Sequence, residues 1–355
     1  MFKFLEKILI LAFFTLASNT TKCQAIVNEP VKPVIINGEA PSIAVAGSNV
    51  YISFASKDSI FYSHSTDKGK NFSPPALVAI LNGLVNAGGR GPQIVNGKGQ
   101  LLIAAPDTSG NFYTWLRKKT GNGWVSGGRI NDLPKIAKEG FLSLGVKGNG
   151  NFFAVWLDLR NGKKNNLYSA RSMNGGKSWL KNQLVYKSPD GSVCDCCKPS
   201  LAVQGNLIVI MFRNNLNGNR DLYLIQSKDG GTTFDKAQKL GEGSWKLNGC
   251  PMDGGGLMID NNEVRTVWRR EGDIYTCKPG KKETLVNKGR QCAIAGKSAA
   301  YYIAFINKGI LYCRNQNGKI IELGPANGYP KMVTLNQSTI LCVWENENKI
   351  YKVVL

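Results

Sequence analysis

The feature that most constrains this chain is a turn motif, Ser-x-Asp-x-Gly-x-x-aromatic, that occurs three times. It covers residues 65–72, 172–179 and 227–234, with Asn174 in place of Asp in the second copy. The carboxylate of such a turn bonds backbone amides, the glycine adopts a conformation that other residues resist, and the aromatic ring packs inward. The starting positions fit a repeat of roughly fifty residues, which is the length of a propeller blade. We therefore interpret all three copies as structural.

A second pattern extends the repeat over the rest of the chain. Short apolar strands begin at residues 41, 92, 141, 199, 251, 292 and 330, several of them at a proline. Each is followed by a turn and a second strand that ends near Phe54, Ala105, Trp156, Phe212, Trp268, Phe305 or Trp344. None of the seven units has helical periodicity. The sequence thus predicts an all-β fold, a seven-bladed β-propeller, with six blades as the alternative.

The two ends of the repeat complement each other. The seventh unit stops after a third strand, residues 349–355, while residues 31–36 form an extra strand with no unit of its own. Pairing these strands would complete the last blade and remove an open sheet edge, which otherwise invites aggregation. We therefore predict that the ring is closed by its N- and C-terminal strands.

The N-terminus is typical of a targeting segment. Two lysines precede an apolar run over residues 8–17, which is too short to span a bilayer. Small residues at Cys23 and Ala25 favour cleavage there, although a cut at the end of the apolar run also fits. No later stretch has transmembrane length. We expect a signal peptide over residues 1–25 and one exported propeller domain over residues 26–355, periplasmic or secreted.

Polar residues recur at one predicted face of the propeller, where the chain enters each first strand and leaves each second strand. Two residues beyond the second-strand ends lie Ser56, Asp107, Asp158, Asn214, Arg270, Asn307 and Asn346. Two residues before the first strands lie Glu39, Arg90, Glu139, Cys197, Gly249, Arg290 and Gly328, and Arg160, Arg213 and Arg269 are close to the same edge. Converging guanidinium groups repel unless they meet carboxylates or an anionic ligand, so we predict a binding rim for an acidic small molecule or glycan. The alternative is that these loop ends are polar because they are solvated.

Asp253 lies just inside the fifth unit and is followed by three glycines, Gly254 to Gly256. Successive glycines cost conformational entropy and leave nothing to pack, so they suit a place where a ligand or another backbone approaches closely. We predict that Asp253 points into the central mouth near Arg270 and contributes to ligand binding. The alternative is an aspartate that bonds its own glycine turn.

Cysteines cluster between the fourth and fifth units, at Cys194, Cys196, Cys197 and Cys250. In an exported protein two disulfides that link these units are the favoured interpretation. The alternative is a soft-metal site that includes Met252, since thiolate and thioether ligands favour Cu(I). We expect no resident metal and no cofactor.

Charge and histidine content exclude several classes of function. The chain has 45 Lys and Arg against 24 Asp and Glu, a net charge of +21, and a single histidine, His64. One histidine excludes multi-histidine metal sites, and His64 lies on the face away from the predicted rim. No basic run or nucleic-acid motif accompanies the charge, so we expect no nucleic-acid partner. Basic residues spread over turns instead favour association with anionic cell surfaces.

These motifs carry a family resemblance. Asp boxes, the turn motif above, repeated through a propeller resemble the bacterial sialidase superfamily, also called BNR-repeat proteins, over the whole mature chain. The segments Trp156-Leu-Asp-Leu-Arg160, Cys194-Asp-Cys-Cys197 and Asn248-Gly-Cys-Pro-Met-Asp-Gly-Gly-Gly256 are similar to an exo-α-sialidase-like bacterial subgroup. The resemblance implies three arginines that hold a substrate carboxylate. Arg90-Gly-Pro92 is similar to the family's Arg-Ile-Pro element, and Arg213 and Arg270 are the candidates for the other two.

The resemblance also implies catalytic groups and an activity. Glu139 with Tyr329 would form the nucleophile pair, and Asp107 or Asp158 would be the acid/base. The implied function is an exported sialidase-like glycoside hydrolase acting on sialic-acid-type or other acidic glycans. The alternative is a non-catalytic Asp-box propeller that binds acidic glycans or a protein partner.

Overall fold

The structure, a computed structural model, describes residues 31–120 and 123–355. Within these ranges all regular secondary structure is β, and twenty-eight strands form seven four-stranded antiparallel sheets. Each sheet is one blade of a ring. The prediction of an all-β, seven-bladed propeller is therefore confirmed, and the six-bladed alternative is excluded.

The blades follow one another along the chain, and within each the strands run from the inside of the ring outwards. Blade 1 contains β2 (Glu39–Ala46), β3 (Asn49–Ser56), β4 (Ser59–Ser65) and β5 (Ala76–Ile80). Blade 2 contains β6 (Gln93–Gly97), β7 (Gln100–Pro106), β8 (Phe112–Arg117) and β9 (Trp124–Arg129). Blade 3 contains β10 (Leu142–Val146), β11 (Phe152–Asp158), β12 (Asn166–Ser172) and β13 (Gln183–Tyr186). Blade 4 contains β14 (Ser200–Gln204), β15 (Leu207–Arg213), β16 (Leu222–Ser227) and β17 (Gln238–Lys239).

The remaining three blades have the same arrangement. Blade 5 contains β18 (Gly256–Asp260), β19 (Glu263–Arg270), β20 (Asp273–Cys277) and β21 (Thr284–Lys288). Blade 6 contains β22 (Arg290–Lys297), β23 (Ala300–Asn307), β24 (Ile310–Asn315) and β25 (Ile320–Pro325). Blade 7 contains β26 (Lys331–Thr334), β27 (Ile340–Asn346), β28 (Lys349–Val354) and, as its outermost strand, β1 (Pro33–Ile36).

The core lies between neighbouring blades. The second strand of each blade carries most of it, and every residue of β11 is buried. These strands are apolar on both faces because each sheet is covered by a blade on either side. The aromatic residues at their ends stack on the third strand, as Phe54 does on Phe61 and Trp344 on Tyr351, with ring centroids 5.7 Å apart in both pairs. The innermost strands contact one another in order around the ring, and β2 meets β26 to close it.

The turn motif pins the end of a third strand at the face opposite to the loops that lead into the inner strands. The hydroxyl of Ser65 donates to Asp67 at 2.6 Å and accepts the amide of Gly69 at 2.8 Å. Asp67 accepts the amide of Asn71 at 2.9 Å, and Gly69 has a φ of 80°, which favours glycine. In the second copy Asn174 accepts the amide of Ser178 at 3.0 Å, so an amide oxygen replaces the carboxylate. The motif has the local contacts of a structural turn.

The N-terminal strand closes the ring as predicted. In the antiparallel pair of β1 and β28, Pro33 lies opposite Tyr351 and Ile36 opposite Lys349. The predicted signal peptide, with Cys23, lies outside the described residues. No helix in the part of the chain that the structure describes is long and apolar enough to cross a membrane.

Ile35 provides a test of this closure. It is 3% exposed and packs in a cluster with Phe54 and Ile350, whereas its neighbour Ile36 is 68% exposed. We expect Ile35→Ala to lower the free energy of unfolding by roughly 2–5 kcal/mol through lost burial and the cavity it leaves. Ile36→Ala is the matched control and should change it by less than about 0.5 kcal/mol. Denaturant unfolding of both variants measures the difference, and equal effects would contradict a closure that depends on Ile35.

Candidate functional site

A cavity of about 440 Å3 opens where the loops into the inner strands converge. Its wall comes from blades 1, 2, 5, 6 and 7, and it continues into a second cavity of about 230 Å3 along the inner strands. The charged and phenolic residues that line the larger cavity are Glu39, Arg90, Asp253, Arg269, Arg290, Tyr329, Lys331 and Glu345. Six of these, Glu39, Arg90, Asp253, Arg269, Arg290 and Tyr329, were named from the sequence as rim or site residues.

Arg90 is held rigidly in the wall of this cavity. Its Nε donates to the backbone carbonyl of Glu139, and its guanidinium lies 4.0 Å from the centre of the Phe141 ring. The distance from its Nη2 to a carboxylate oxygen of Glu139 is 3.9 Å. These contacts fix the guanidinium without enclosing it. A planar fork held in this way can bind a carboxylate with two hydrogen bonds.

Two lysines that the sequence interpretation missed lie close to the arginines. Lys331, at the start of β26, lines both cavities, and burial lowers its pKa to about 8. Lys198 lines the inner cavity and donates to the side chain of Gln93 at 3.0 Å. Burial also lowers the pKa of Lys198, and Lys331 adds to this effect. Lys331 follows Pro330 and Lys198 precedes Pro199, and each of these prolines marks the start of a first strand in the sequence. That position could have identified both lysines as candidates for the central face.

Asp253 is almost completely buried and lines both cavities. One of its carboxylate oxygens accepts the amide of Gln291 at 2.6 Å, and the other has no hydrogen-bond partner among the described residues. Burial raises the pKa of this carboxyl, and Arg213 and Arg269 oppose the shift. The sequence analysis predicted that Asp253 lies near Arg270. The arginines whose charges lower the pKa of Asp253 are instead Arg213 and Arg269.

The glycines after Asp253 permit a close approach of backbone. A Cβ at Gly254 would collide with the carbonyl oxygen of Lys198 in the loop that leads into blade 4. The inner strand of blade 5 begins at Gly256, so the prediction that it begins at residue 251 is wrong. Residues 251–255 form an irregular part of the cavity wall.

Tyr329 lines both cavities and Glu139 lines neither, and no hydrogen bond joins the two in the described structure. The phenol of Tyr329 donates to the carbonyl of Met252 at 2.8 Å, and burial raises its pKa, with Asp253 adding to the shift. Glu139 is half-buried behind Arg90, and burial and the charge of Asp195 raise its pKa. Three carboxyls, Glu39, Asp253 and Glu345, line the cavity with Tyr329, and Asp253 is the one whose charge contributes to the shift of the phenol's pKa.

The two candidate acids, Asp107 and Asp158, are bonded within their own loops. Asp107 accepts the backbone and side-chain amides of Asn111 at 2.8 and 2.9 Å. Asp158 is fully buried, accepts the indole of Trp156 at 2.9 Å and forms an ion pair with Arg160 at 2.9 Å. Neither lines the two cavities described above.

The arginines at the ends of second strands also lie inside the protein framework. Arg160 bridges Asp158 and Asp132, and Arg270 forms an ion pair with Glu283 at 2.6 Å. Arg213 is 1% exposed and donates to the carbonyls of Asp253 at 2.9 Å and Arg269 at 2.9 Å. None of the three lines the larger cavity. Arg213 instead positions the loop that carries Asp253.

The clustered cysteines are brought together, but they are not bonded. The sulfurs of Cys194, Cys196 and Cys197 lie 3.7–3.9 Å apart, and all eight cysteines in the described residues are free. A disulfide needs about 2.05 Å between sulfurs. The predicted disulfides between the fourth and fifth blades are therefore not seen.

The buried carboxyl of Asp253 makes a pH prediction. A raised pKa means that the folded state binds the proton of Asp253 more tightly than the unfolded state does. Protonation of Asp253 therefore contributes fully to the free energy of unfolding below the ordinary pKa of 3.8. That contribution is lost as the pH rises through the pKa of the folded state. Asp253→Asn removes the titration and keeps an oxygen that accepts the Gln291 amide. We expect the melting temperature of the wild type to fall, relative to this variant, across that pH window. Exposed Asp235→Asn is the control, and a difference between wild type and Asp253→Asn that does not vary with pH would contradict the prediction.

Several solved structures share this fold at low sequence identity. An ulvan lyase of polysaccharide lyase family PL25, described as bound to -[GlcA(1-4)Rha3S]-, aligns with a TM-score of 0.62 and 10% identity over 92% of this chain and 96% of its own. The polysaccharide lyase Uly1 aligns with a TM-score of 0.58 and 8% identity over 97% and 93%. A leech intramolecular trans-sialidase has a TM-score of 0.47 and 12% identity over 93% and 70%. At these identities the two lyases show a shared fold.

A comparison with protein families gives the relationship by sequence. No curated protein matches the chain. The model of the family described as BNR repeat-like domain matches residues 16–337, which is most of the sequence. The resemblance drawn from the repeated turn motif is confirmed at this level, while the subgroup with the Cys-Asp-Cys-Cys segment stays a prediction. The chain belongs to the BNR repeat-like domain family.

Proposed function

We propose that the 440 Å3 cavity binds the carboxylate of an acidic sugar and that the chain acts on such glycans as a sialidase-like glycoside hydrolase. The observation that carries the proposal is the convergence of four cationic side chains, a phenol and a buried carboxyl on one cavity. The cationic residues are Arg90, Arg269, Arg290 and Lys331. The volume is within the range of small-molecule sites.

The electrostatics of the cavity suit an anion. Arg290 is exposed and has no ion-pair partner among the residues described, and Arg90 is fixed with its guanidinium facing the cavity. Among the acids that line the same wall, burial raises the pKa of Asp253 and of Glu345, and nearby Glu39 adds to the shift of Glu345. The four cationic side chains outnumber the three carboxyl groups, Glu39, Asp253 and Glu345, that line the same wall. A ligand carboxylate would supply the missing negative charge.

The same cavity contains groups that can perform hydrolysis. Sialidases are the glycosidases that use a tyrosine nucleophile. In our proposal the phenol oxygen of Tyr329 attacks the anomeric carbon while Asp253, in place of Glu139, accepts its proton. Glu345, with its raised pKa, donates a proton to the departing oxygen. A water molecule then attacks the anomeric carbon and gives its proton to Glu345, and the phenol oxygen, released from the sugar, takes back the proton held by Asp253.

The alternative is a propeller that binds acidic glycans without turnover. It is favoured by one observation: the phenol of Tyr329 bonds the carbonyl of Met252, and no hydrogen bond to a carboxylate is recorded for it in the described structure. The ulvan lyase described as bound to -[GlcA(1-4)Rha3S]- shares this fold and supports an acidic glycan as ligand under either alternative. Export through the predicted signal peptide would bring the chain to glycans and anionic cell surfaces outside the cytoplasm.

Binding tests the part that both alternatives share. We expect Arg90→Ala and Arg290→Ala each to weaken binding of N-acetylneuraminic acid or glucuronic acid at least about tenfold, since a charge-assisted hydrogen bond contributes about 1.5–3 kcal/mol. Arg171→Ala is the matched control, because Arg171 bonds Thr232 at the opposite face. Titration calorimetry measures the affinities, with glucose as the uncharged ligand. Equal binding of glucose and glucuronic acid by the wild type would overturn the proposal.

Turnover separates the hydrolase from the binder. We expect wild type to cleave a fluorogenic sialoside or glucuronide, and Tyr329→Phe to lower kcat by roughly a hundredfold or more while ligand affinity changes little. Phenylalanine keeps the ring and removes only the reacting oxygen. Tyr113→Phe, in blade 2 outside both cavities, is the control. Binding without turnover by wild type would establish the non-catalytic alternative.

A further inference from the structure

Three buried thiols meet at the loop that leads into blade 4. Cys194, Cys196 and Cys197 are 1%, 9% and 2% exposed. Their sulfurs are 3.7 Å (Cys194 to Cys196), 3.7 Å (Cys194 to Cys197) and 3.9 Å (Cys196 to Cys197) apart. Neither the proposed glycan site nor the packing of the blades needs three thiols at one point.

These separations are the ones that thiolates adopt around a single ion. With metal–sulfur bonds of about 2.3 Å, the sulfurs of a tetrahedral site lie about 3.8 Å apart and those of a trigonal site about 4.0 Å apart. The three observed distances fall close to both values. Three sulfurs at nearly equal distances form a face that one ion can cap.

A fourth cysteine lies on the neighbouring loop. Exposed Cys250 is in the loop that leads into blade 5, and its sulfur is not within 4.8 Å of all three clustered sulfurs, so it would complete the site by a movement of that loop. Met252 lines the cavity that Cys196 also lines. The fourth position therefore lies on the solvent side of the cluster, where an ion can enter.

The surroundings hold the cluster in place. The amide of Cys194 donates to the carbonyl of Arg213 at 3.0 Å. The carboxylate of Asp195 is tied to Asn165 at 2.9 Å and to Ser192 at 2.8 Å, so the intervening acid is bonded elsewhere.

We propose that Cys194, Cys196 and Cys197 bind one thiophilic d10 metal ion, Cu(I) or Zn(II), with Cys250 as the fourth ligand. Thiolates select these ions in proteins. The ion would fasten the loop that leads into blade 4 to the loop that leads into blade 5. The inference is independent of the proposed glycan function, since its readouts are metal content and stability.

The test loads the full chain with each metal separately. Reduced, metal-free protein is titrated under anaerobic conditions with Cu(I) or with Zn(II), each against a chelator of known affinity. Metal content and the thiolate-to-metal charge-transfer band are measured. We expect one equivalent of the preferred ion and a higher melting temperature in its presence. The two titrations identify which of the two ions binds.

Variants locate the ion. The triple variant Cys194→Ser, Cys196→Ser, Cys197→Ser should lose the bound equivalent, whereas Cys277→Ser and Cys313→Ser, buried thiols of blades 5 and 6, should keep it. Because the triple variant could fail to fold, exposed Cys250→Ser is the second test and should weaken binding at least about tenfold. Equal metal binding by wild type and the triple variant would overturn the proposal. Binding of neither ion by the reduced wild type would also overturn it.

Discussion

Every part of this molecule depends on the requirement that each sheet be covered on both faces. A strand such as β11, which is buried along its whole length, is stable only between two neighbouring blades. An incomplete ring would leave two apolar faces and an unpaired edge in water. The pairing of β1 with β28 supplies the last strand of blade 7 and thus connects the two ends of the chain. The site, whose wall includes blades 1 and 7, exists only because the ring closes there.

Closure also explains how residues distant in sequence come together. The loops that lead into the inner strands converge on the centre, so Arg90 of the second blade and Tyr329 of the seventh line the same cavity. At the ends of the second strands some side chains line the cavity, as Arg269 and Glu345 do, and others are directed into the framework. Arginines at those ends meet carboxylates and carbonyls of the framework, as Arg270 meets Glu283 and Arg213 meets the carbonyl of Asp253. The same residue type therefore lines the cavity in one place, as Arg90 and Arg290 do, and stabilises loops in the other.

The proposed glycan site and the thiol cluster are linked through Arg213. The buried guanidinium of Arg213 donates to the backbone carbonyl of Asp253, whose carboxyl lines the cavity. The backbone carbonyl of Arg213 accepts the amide of Cys194. The loops that enter blades 4 and 5 thus share one anchor. An ion bound at the cysteines would stabilise the same pair of loops from the other side.

The periodicity of the sequence was sufficient to predict the fold, because a strand-turn repeat of fixed length is compatible with few architectures. The last unit has only three strands, which predicted that its fourth strand comes from the N-terminal end of the chain. The repeated turn motif predicted its own local structure, since all its hydrogen bonds lie within a few residues. The sequence also predicted that the loops leading into the inner strands carry charged side chains. Arg90, Arg290 and Asp253 were named on that ground, and all three line the cavity. Only the tertiary structure decided which charged side chains face the cavity. Asp158 is paired with Arg160 of its own blade and does not line it, whereas Lys331 lines it because its inner strand lies beside those of the neighbouring blades. It also decided that the sulfurs of Cys194, Cys196 and Cys197 lie 3.7–3.9 Å apart and not at bonding distance, because that spacing depends on the conformation of the loop that carries all three.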